Sequence, residues 1–224
     1  WESIIAKASD GIAAIANEDL KDLKAISSKS KFKFVPLGLD FKSPLDYLSN
    51  SKTQILFVGR LDWAPNKEGL KWILTNIWPK VIKNRTDIVL NIVGSGNREW
   101  LSSFKGMENV VLHGFVPDIK DMYRLSDFTI APIKFGSGTR IKVIESYAFG
   151  RNIISTNMGA QGSGLIESDY IPCETDEEWI NTFSSISLSE KYKLLSRQSN
   201  KKLGSIYDEV QVGQDFYFWL KTFL

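Results

Sequence analysis

The sequence contains very few of the side chains that build disulfides, metal sites and histidine-dependent catalytic centres. Its 224 residues include one cysteine, Cys173, and one histidine, His113. An internal disulfide is therefore excluded, and the soft ligands are too few for a structural zinc site. A Ser-His-Asp centre would have to use His113, which we interpret as a partly buried, hydrogen-bonded strand residue rather than a catalytic base.

Long apolar runs and a strong net charge are also missing. No run approaches the roughly 20 residues that a membrane-spanning helix needs. The formal net charge is only +2, so we predict no nucleic-acid partner. The single thiol fits a reducing compartment, and we expect a cytoplasmic location. The chain begins at Trp1 inside a predicted helix and without a signal-peptide pattern, so we expect a piece of a longer protein.

From residue 53 onward, short apolar runs alternate with segments of helical periodicity. Strands are predicted at residues 53–61, 87–96, 109–116, 128–133, 152–157 and 169–173. Continuously apolar runs are typical of parallel strands that are buried on both faces. Pro172 places the last strand at an edge, and Pro79 is expected to bend the first helix or to begin a new first turn. We predict an α/β fold, a Rossmann-like parallel sheet with helices on both faces.

Different segments flank this alternation. The first ten residues predict the end of a helix, residues 11–16 predict a strand, and Asn17 is expected to cap a helix at 18–26. The polar stretch 42–52 predicts a linker, and the stretch 159–164 predicts a loop. Further helices are predicted at 176–187, 189–207 and 212–224.

One stretch, residues 135–150 ("FGSGTRIKVIESYAFG"), joins a turn of small residues to a helix that is expected to begin at Thr139 and Arg140. Free amides and the dipole at a helix N-terminus favour an anion such as phosphate. Glu145, further along, can accept hydrogen bonds from ribose hydroxyls, so the stretch predicts a nucleotide site. The alternative is that Glu145 only pairs with Lys142 or Arg140 on the helix surface. The turn consists of Gly136, Ser137 and Gly138.

The loop after the first strand of the alternation contributes two cations. Arg60 follows the strand directly, next to Gly59, and Lys67 lies one short loop later beside Asn66. Cations at the carboxyl end of a parallel strand can stabilise the charge of a leaving diphosphate. The alternatives are solvated surface charges for Arg60 and Lys67 and a helix cap for Asn66.

Two other features have weaker links to function. The "VGSGNRE" stretch, residues 93–99, could belong to an NAD site, but it lacks the third glycine and is not the first strand–helix turn. We interpret it as a tight turn beside the site. Trp63 and Trp72 are expected to be packing residues rather than stacking platforms.

Three long blocks resemble a known family in order, and the resemblance as a whole extends over nearly the whole chain. They are "FVGRLDWAPNKEGLKWIL", "VVLHGFVPDIKDMYRLSDFTIAP" and "GSGTRIKVIESYAFGRNIISTNMGAQG". The blocks resemble the C-terminal, nucleotide-sugar-binding half of GT-B glycosyltransferases. In particular, they resemble the retaining family "glycosyl transferases group 1", also called family 4.

The resemblance implies roles for individual residues. Glu145 matches the second glutamate of the E-x7-E motif, which binds ribose, and Ser137 stands where the first glutamate would be. That departure removes the usual side-chain contact to the donor sugar. Arg60 matches the arginine that contacts the diphosphate, and Lys67 or Asn66 lies where a lysine usually assists.

Backbone contacts are implied as well. The amides of Gly138 and Thr139 would bind the same phosphates, with Arg140 beside them. Main-chain groups of Phe115 and Val116 lie where the family holds the nucleobase.

The implied activity is transfer of a sugar, with retention, from a nucleoside-diphosphate sugar to an acceptor hydroxyl. Cell-envelope polysaccharide or glycolipid synthesis is the implied setting. No metal and no cofactor other than the donor substrate are expected. The implied partners are the nucleotide sugar and a glycan or lipid-linked acceptor, with peripheral membrane association at the inner face as an open alternative.

The resemblance also implies a division of the chain. Residues 1–40 would be a remnant of the acceptor domain, 41–210 the nucleotide-sugar-binding domain, and 211–224 a helix that packs back on the acceptor domain. The piece alone is then expected to bind nucleotide and to be almost inactive. A non-catalytic nucleotide-binding module, a nucleotide-sugar epimerase of the same fold and an NAD enzyme remain the alternatives.

Overall fold

The computed structural model describes residues 1–27, 29–42, 44–48, 50–136, 138 and 140–224. The chain begins with α1 (Glu2–Ala8), β1 (Gly11–Ala14), α2 (Asn17–Ile26) and β2 (Lys31–Phe34). β1 and β2 pair in parallel. The prediction that Asn17 caps α2 is wrong, because the helix begins at Asn17 and Ala16, which is buried and extended, occupies the capping position.

A six-stranded parallel sheet forms the main part of the chain, as predicted. Its strands are β3 (Thr53–Val58), β4 (Ile88–Val93), β5 (Val110–Gly114), β6 (Phe128–Ala131), β7 (Asn152–Ser155) and β8 (Ile171–Pro172). The order across the sheet is β5-β4-β3-β6-β7-β8, and every pair is parallel. Pro172 lies in the edge strand β8, where its missing N–H costs no ladder hydrogen bond.

Helices connect the strands. They are α3 (Ala64–Trp72), α4 (Trp78–Ile82), α5 (Lys120–Leu125), α6 (Ile141–Ala148), α7 (Asn157–Ala160), α8 (Asp176–Ser185), α9 (Glu190–Tyr207) and α10 (Glu209–Leu220). A π-helical turn, Ile73–Ile77, joins α3 to α4, and Pro79 lies in the first turn of α4, as predicted. Short 3-10 turns occur at Glu99–Phe104, Glu167–Asp169 and Lys221–Phe223.

The predicted loop at 159–164 is partly helical. Its first two residues end α7, where the Thr156 hydroxyl caps the helix by accepting a hydrogen bond from the Gly159 amide at 2.9 Å. The later glycines, Gly162 and Gly164, have positive φ angles and stay in the loop.

The core fills both faces of the sheet. One face packs the fully buried Trp78, Trp179 and Phe57, and the other packs Tyr147 and Leu203. Burial of these side chains is the main stabilising term.

β5 differs from the buried strand that its apolar run predicts. Val111 and Leu112 are 42% and 36% exposed, because β5 is an edge strand that neighbouring elements cover incompletely on both faces. His113 is exposed on this strand, and its Nε2 lies 2.9 Å from Oδ1 of Asn91, as a structural histidine should. Desolvation of the ring by the neighbouring protein atoms lowers the pKa of the imidazole.

Arg151, which is fully buried, fastens the predicted linker to the sheet. Its guanidinium lies 4.0 Å from the ring centroid of Tyr47. It donates hydrogen bonds to the carbonyls of Leu45, Asp46, Tyr123, Arg124, Phe149 and Gly150. The described linker residues 44–48 therefore lie against the C-terminal ends of α5 and α6.

The two ends of the chain meet. The Leu39 amide donates to the Tyr207 carbonyl at 2.8 Å, and the Glu209 amide donates to the Leu39 carbonyl at 3.0 Å. α10 then runs to the N-terminal strands, where Lys31 Nζ donates to the Thr222 carbonyl at 2.9 Å. This contact agrees with a helix that packs back on the N-terminal segment, while the three-part division itself stays a prediction.

Apolar side chains are exposed near both ends. Trp1 and Ile4 are 95% and 68% exposed, and Phe218 is 64% exposed.

Three strand ends are packed backbone to backbone at the carboxyl edge of the sheet. The Gly59 amide donates to the Val93 carbonyl at 3.1 Å, and the Gly94 amide donates to the Gly114 carbonyl at 2.8 Å. A Cβ at Gly94 would lie 1.8 Å from the Gly59 carbonyl oxygen. The "GSG" turn is thus a packing requirement of the strand ends.

Gly94→Ala is expected to destabilise the chain by about 1–3 kcal/mol, because the new methyl group must push two strand ends apart. Gly213→Ala is the matched control, because its Cβ meets nothing within 4 Å and alanine favours the helix α10 by up to about 1 kcal/mol. Urea unfolding of both variants would measure the difference. Equal stability of the two would contradict this account of the turn.

Candidate functional site

The small-residue turn has the backbone shape that the sequence predicts. Gly136 and Gly138 have φ angles of 108° and 89°, which strongly favour glycine. A Cβ at Gly138 would meet nothing within 4 Å, so this part of the turn is open to a ligand. The predicted binding residues Ser137 and Thr139 lie outside the described residues.

Arg140 is buried and its side chain is hydrogen-bonded to the turn. The residue is 4% exposed, and its Nη2 donates to the Gly136 carbonyl at 2.7 Å. Its Nε donates to the Met158 carbonyl at 3.4 Å, and burial lowers the pKa of the guanidinium. α6 begins at Ile141, slightly later than predicted, so the first free amides of the helix belong to residues after Arg140.

Lys142 joins this helix to the end of β3. Its Nζ donates to Oδ1 of Asn66, and Nδ2 of Asn66 donates to the Arg60 carbonyl at 2.9 Å. A Cβ at Gly59 would lie 3.1 Å from Nζ of Lys142 and 2.5 Å from Nδ2 of Asn66. The absent side chain of Gly59 therefore leaves the space that these two groups occupy.

The amine of Lys142 lies deep among protein atoms, although the residue keeps partial surface exposure. Burial, and then the nearby positive charge of Arg140, lower the pKa of Lys142 to about 7. An amine that changes charge near neutrality is a feature of functional sites more often than of packing residues.

Arg60 and Lys67 lie on the rim. The guanidinium of Arg60 forms two hydrogen bonds with the Asp62 carboxylate, from Nε at 3.1 Å and from Nη2 at 2.8 Å. The pair is exposed, so it holds Arg60 only weakly. Asp62 raises the pKa of Arg60, and Arg60 lowers the pKa of Asp62. Lys67 is partly exposed in α3, next to the buried Asn66.

Glu145 lies one helical turn beyond Lys142 and faces the other flank of the site. Its Oε2 accepts a hydrogen bond from the buried Tyr123 hydroxyl at 2.8 Å. Burial raises the pKa of Glu145, and the Tyr123 hydrogen bond opposes that rise. Glu145 also lines a cavity of about 350 Å³ beside Lys120 and Arg124 of α5.

The alternative pairing of Glu145 with Lys142 or Arg140 is not observed. Among the described residues, no ion pair includes Glu145. Its carboxylate is therefore held by Tyr123, with the cavity on one side.

The loop after β5 places Phe115 and Val116 apart from each other. The Phe115 side chain is 71% exposed, whereas Val116 packs against the cluster that contains Tyr123. The same loop therefore connects the expected nucleobase position to the tyrosine that holds Glu145.

The structure brings the predicted residues together in two groups. The first contains Gly59, Asn66, Gly136 and Arg140, and the second contains Val116 and Glu145. Sequence reasoning did not predict the contacts that two further residues, Lys142 and Tyr123, make with these groups.

A third residue, Trp63, was predicted to be buried packing. It is 39% exposed, and its ring centroid lies 5.7 Å from the Arg140 guanidinium. The prediction of a packing role is confirmed for Trp72, which is 8% exposed.

The family model described as "Glycosyl transferases group 1" matches residues 52–183, more than half of the chain. The chain belongs to the glycosyl transferases group 1 family. An uncharacterized 44.6 kDa protein in the cps region of Klebsiella pneumoniae is 25% identical over 159 residues. The match covers 66% of this chain and 41% of that relative, so the chain spans less than half of the relative's length.

Solved structures of similar shape support the predicted GT-B fold. Anabaena HepE in complex with UDP and glucose matches with a TM-score of 0.76 at 11% identity, covering 98% of this chain and 65% of HepE. A mutant of S. aureus TarM in complex with fondaparinux, α-GlcNAc-glycerol and UDP matches with a TM-score of 0.74 at 11% identity, covering 96% of this chain and 45% of TarM. A sucrose-phosphate synthase from Thermosynechococcus elongatus matches with a TM-score of 0.69 at 15% identity, covering 99% of this chain and 61% of the synthase.

Two kinds of feature are absent from the described residues. No helix there has the length and apolar character to cross a membrane. No cluster of three or more His, Cys, Asp or Glu side chains in that part of the chain is arranged to hold a metal ion. The expectations of a metal-free site and of a cytoplasmic location stay predictions.

Stability of the chain is expected to rise with pH above about 7 because of Lys142. Above about pH 7 the amine is neutral in the folded chain but still protonated in the unfolded chain. Because the unfolded state binds more protons, the free energy of unfolding increases as pH rises. The slope from this group is at most about 1.4 kcal/mol per pH unit.

Lys142→Met should lose this slope, and Lys80→Met, at an exposed position on α4, should keep it. Urea unfolding between about pH 7 and pH 9 measures both. The same slope in the wild type and in Lys142→Met would contradict the assignment.

Proposed function

We propose that the chain is the donor-binding half of a retaining glycosyltransferase that moves a sugar from a nucleoside-diphosphate sugar to an acceptor hydroxyl. The observation that carries the proposal is the position of Glu145 in a member of this family. The carboxylate is fixed by Tyr123 on the helix that follows the open turn at Gly138. A carboxylate in such a position can accept both hydroxyl protons of a ribose.

The diphosphate would lie on the other group of residues. The open turn at Gly138 and the first amides of α6 offer uncharged donors, and Arg60 and Lys67 offer charge from the rim. Breaking the glycosyl–phosphate bond leaves negative charge on the diphosphate and oxocarbenium-like charge on the sugar. Cations and amides that are fixed in advance around the diphosphate would lower that barrier.

The proposed donor is supported by the ligands of similar structures, whereas the proposed acceptor rests on the family resemblance alone. The structures of HepE and TarM contain UDP, so a uridine diphosphate sugar is the first donor to test here. The acceptor would be a glycan or lipid-linked hydroxyl bound by a further domain. This chain covers less than two thirds of HepE and TarM. We therefore expect the chain alone to bind nucleotide with little turnover.

The setting is proposed from the family resemblance. Cell-envelope polysaccharide or glycolipid synthesis at the cytoplasmic face of a membrane suits an acceptor of this kind. The Klebsiella relative, described as a protein in the cps region, is in keeping with it.

The wild-type chain is expected to bind UDP, GDP or ADP in calorimetric titration, and Glu145→Gln is expected to weaken that binding by about 10–100-fold. A lost hydrogen bond to a charged group costs about 1.5–3 kcal/mol. Glutamine keeps an acceptor for the Tyr123 hydroxyl, so the fold should survive. Glu177→Gln, an exposed carboxylate on α8, is the control. A folded wild-type chain that binds none of the three nucleotides would refute the proposed function.

Arg60→Ala is expected to weaken binding of UDP by about tenfold and to leave the affinity for uridine unchanged, since the guanidinium would contact only phosphate. Arg197→Ala, an exposed arginine on α9, should change neither. Parallel titrations with UDP and uridine give the two affinities. Equal losses for both ligands would mean that Arg60 shapes the loop and does not contact the diphosphate.

A further inference from the structure

Lys142 lies where the end of β3, the first turn of α3 and the first turn of α6 meet. Its Nζ donates to Asn66 and lies 4.7 Å from the centroid of the Phe57 ring. The same atom would be 3.1 Å from a Cβ at Gly59, so the missing side chain leaves the amine beside the strand end. The amine itself is buried and only the residue as a whole keeps partial surface exposure, so an anion would have to approach Nζ along the strand end at Gly59.

Within the part of the chain that the structure describes, no opposite charge compensates Lys142. The groups that face it from β3 and α3 are the uncharged Gly59, Phe57 and Asn66. The charged group that acts on it is Arg140, which has the same sign. Among the described residues, no ion pair includes Lys142.

The carboxylates on either side have other partners. Asp62 is held by Arg60, and Glu145 accepts from Tyr123. Neither forms an ion pair with Lys142 among the described residues, so a bound anion would be the first counter-charge of an ammonium group at Asn66.

A purely structural lysine would leave its amine in water or pair it with a carboxylate. Lys142 does neither, and Asn66 satisfies only one of the three donors that an ammonium group carries. We propose that Lys142 binds the diphosphate of the donor and that its amine takes up one proton from solvent as the anion binds. The inference rests on the proposed function, because it places the diphosphate beside Gly59.

The proton balance is simple. In the free chain above neutral pH, the amine is mostly uncharged and donates to Asn66. A diphosphate beside it stabilises the charged form, so one proton moves from the buffer to Nζ and no bond of the nucleotide changes. Release of the diphosphate returns the proton. The affinity for nucleotide should therefore fall as pH rises above about 7, by up to tenfold per pH unit.

The deciding measurement uses the unaltered chain. UDP is titrated at about pH 8, where its phosphates are fully ionised, in two buffers of different ionisation enthalpy. The expected uptake is most of one proton per UDP, because a group with a pKa of about 7 is then mostly neutral. Uridine, which has no phosphate, should take up none. UDP binding without proton uptake would overturn the inference.

Three variants assign the proton to Lys142. Lys142→Arg keeps a permanent cation, so it should bind UDP within a few-fold of wild type and lose the proton uptake. Lys142→Met should lose about 10–100-fold in UDP affinity, and Lys80→Met should lose none. Proton uptake that persists in Lys142→Arg, or wild-type affinity in Lys142→Met, would overturn the inference. If the wild type binds neither UDP, GDP nor ADP, the proposed function fails, and this inference fails with it.

Discussion

Three parallel strands end within backbone contact of one another at Gly59, Gly94 and Gly114. A single methyl group at Gly94 would overlap the Gly59 carbonyl oxygen, so the contact exists only because side chains are absent there. It aligns the ends of β3, β4 and β5 at one edge. That edge carries the start of α3, with Asn66, and the loop that leads to Phe115. The positions of Gly59 and Asn66, in the first group of site residues, depend on this alignment.

The fold was largely predictable because a buried parallel sheet leaves a strong local signal. The apolar runs of β3, β4, β6 and β7 predict central strands, and the structure confirms them. The errors have a common physical origin in tertiary context. Whether a strand such as β5 is central or at an edge depends on what covers it, and Val111 alone does not show that. Likewise, the start of α2 depends on the buried position of Ala16 rather than on the capping tendency of Asn17.

The candidate site was predictable in its location and less so in its composition. Glycines with positive φ and a carboxylate on the helix that follows them are visible in the sequence. The hydrogen-bond partners are not, because they come from other elements. Tyr123 is 22 residues from Glu145, and Asn66 is 76 residues from Lys142. The lysine looked like a surface residue because helical periodicity alone does not reveal that its amine turns toward β3.

The hydrogen bonds of Arg151 at one end of α5 and α6 affect the residues that these helices carry toward the site. Its guanidinium binds carbonyls at the C-terminal ends of both α5 and α6, where the helix dipoles place negative charge. One buried cation thus ties the two helices together at the edge of the sheet opposite the site. Tyr123 and Glu145 stand on those helices, so the spacing between hydroxyl and carboxylate is set by an anchor outside the site. The ligand-facing loops can then vary in sequence without displacing the Glu145 carboxylate, because the Arg151 hydrogen bonds lie at the opposite ends of α5 and α6.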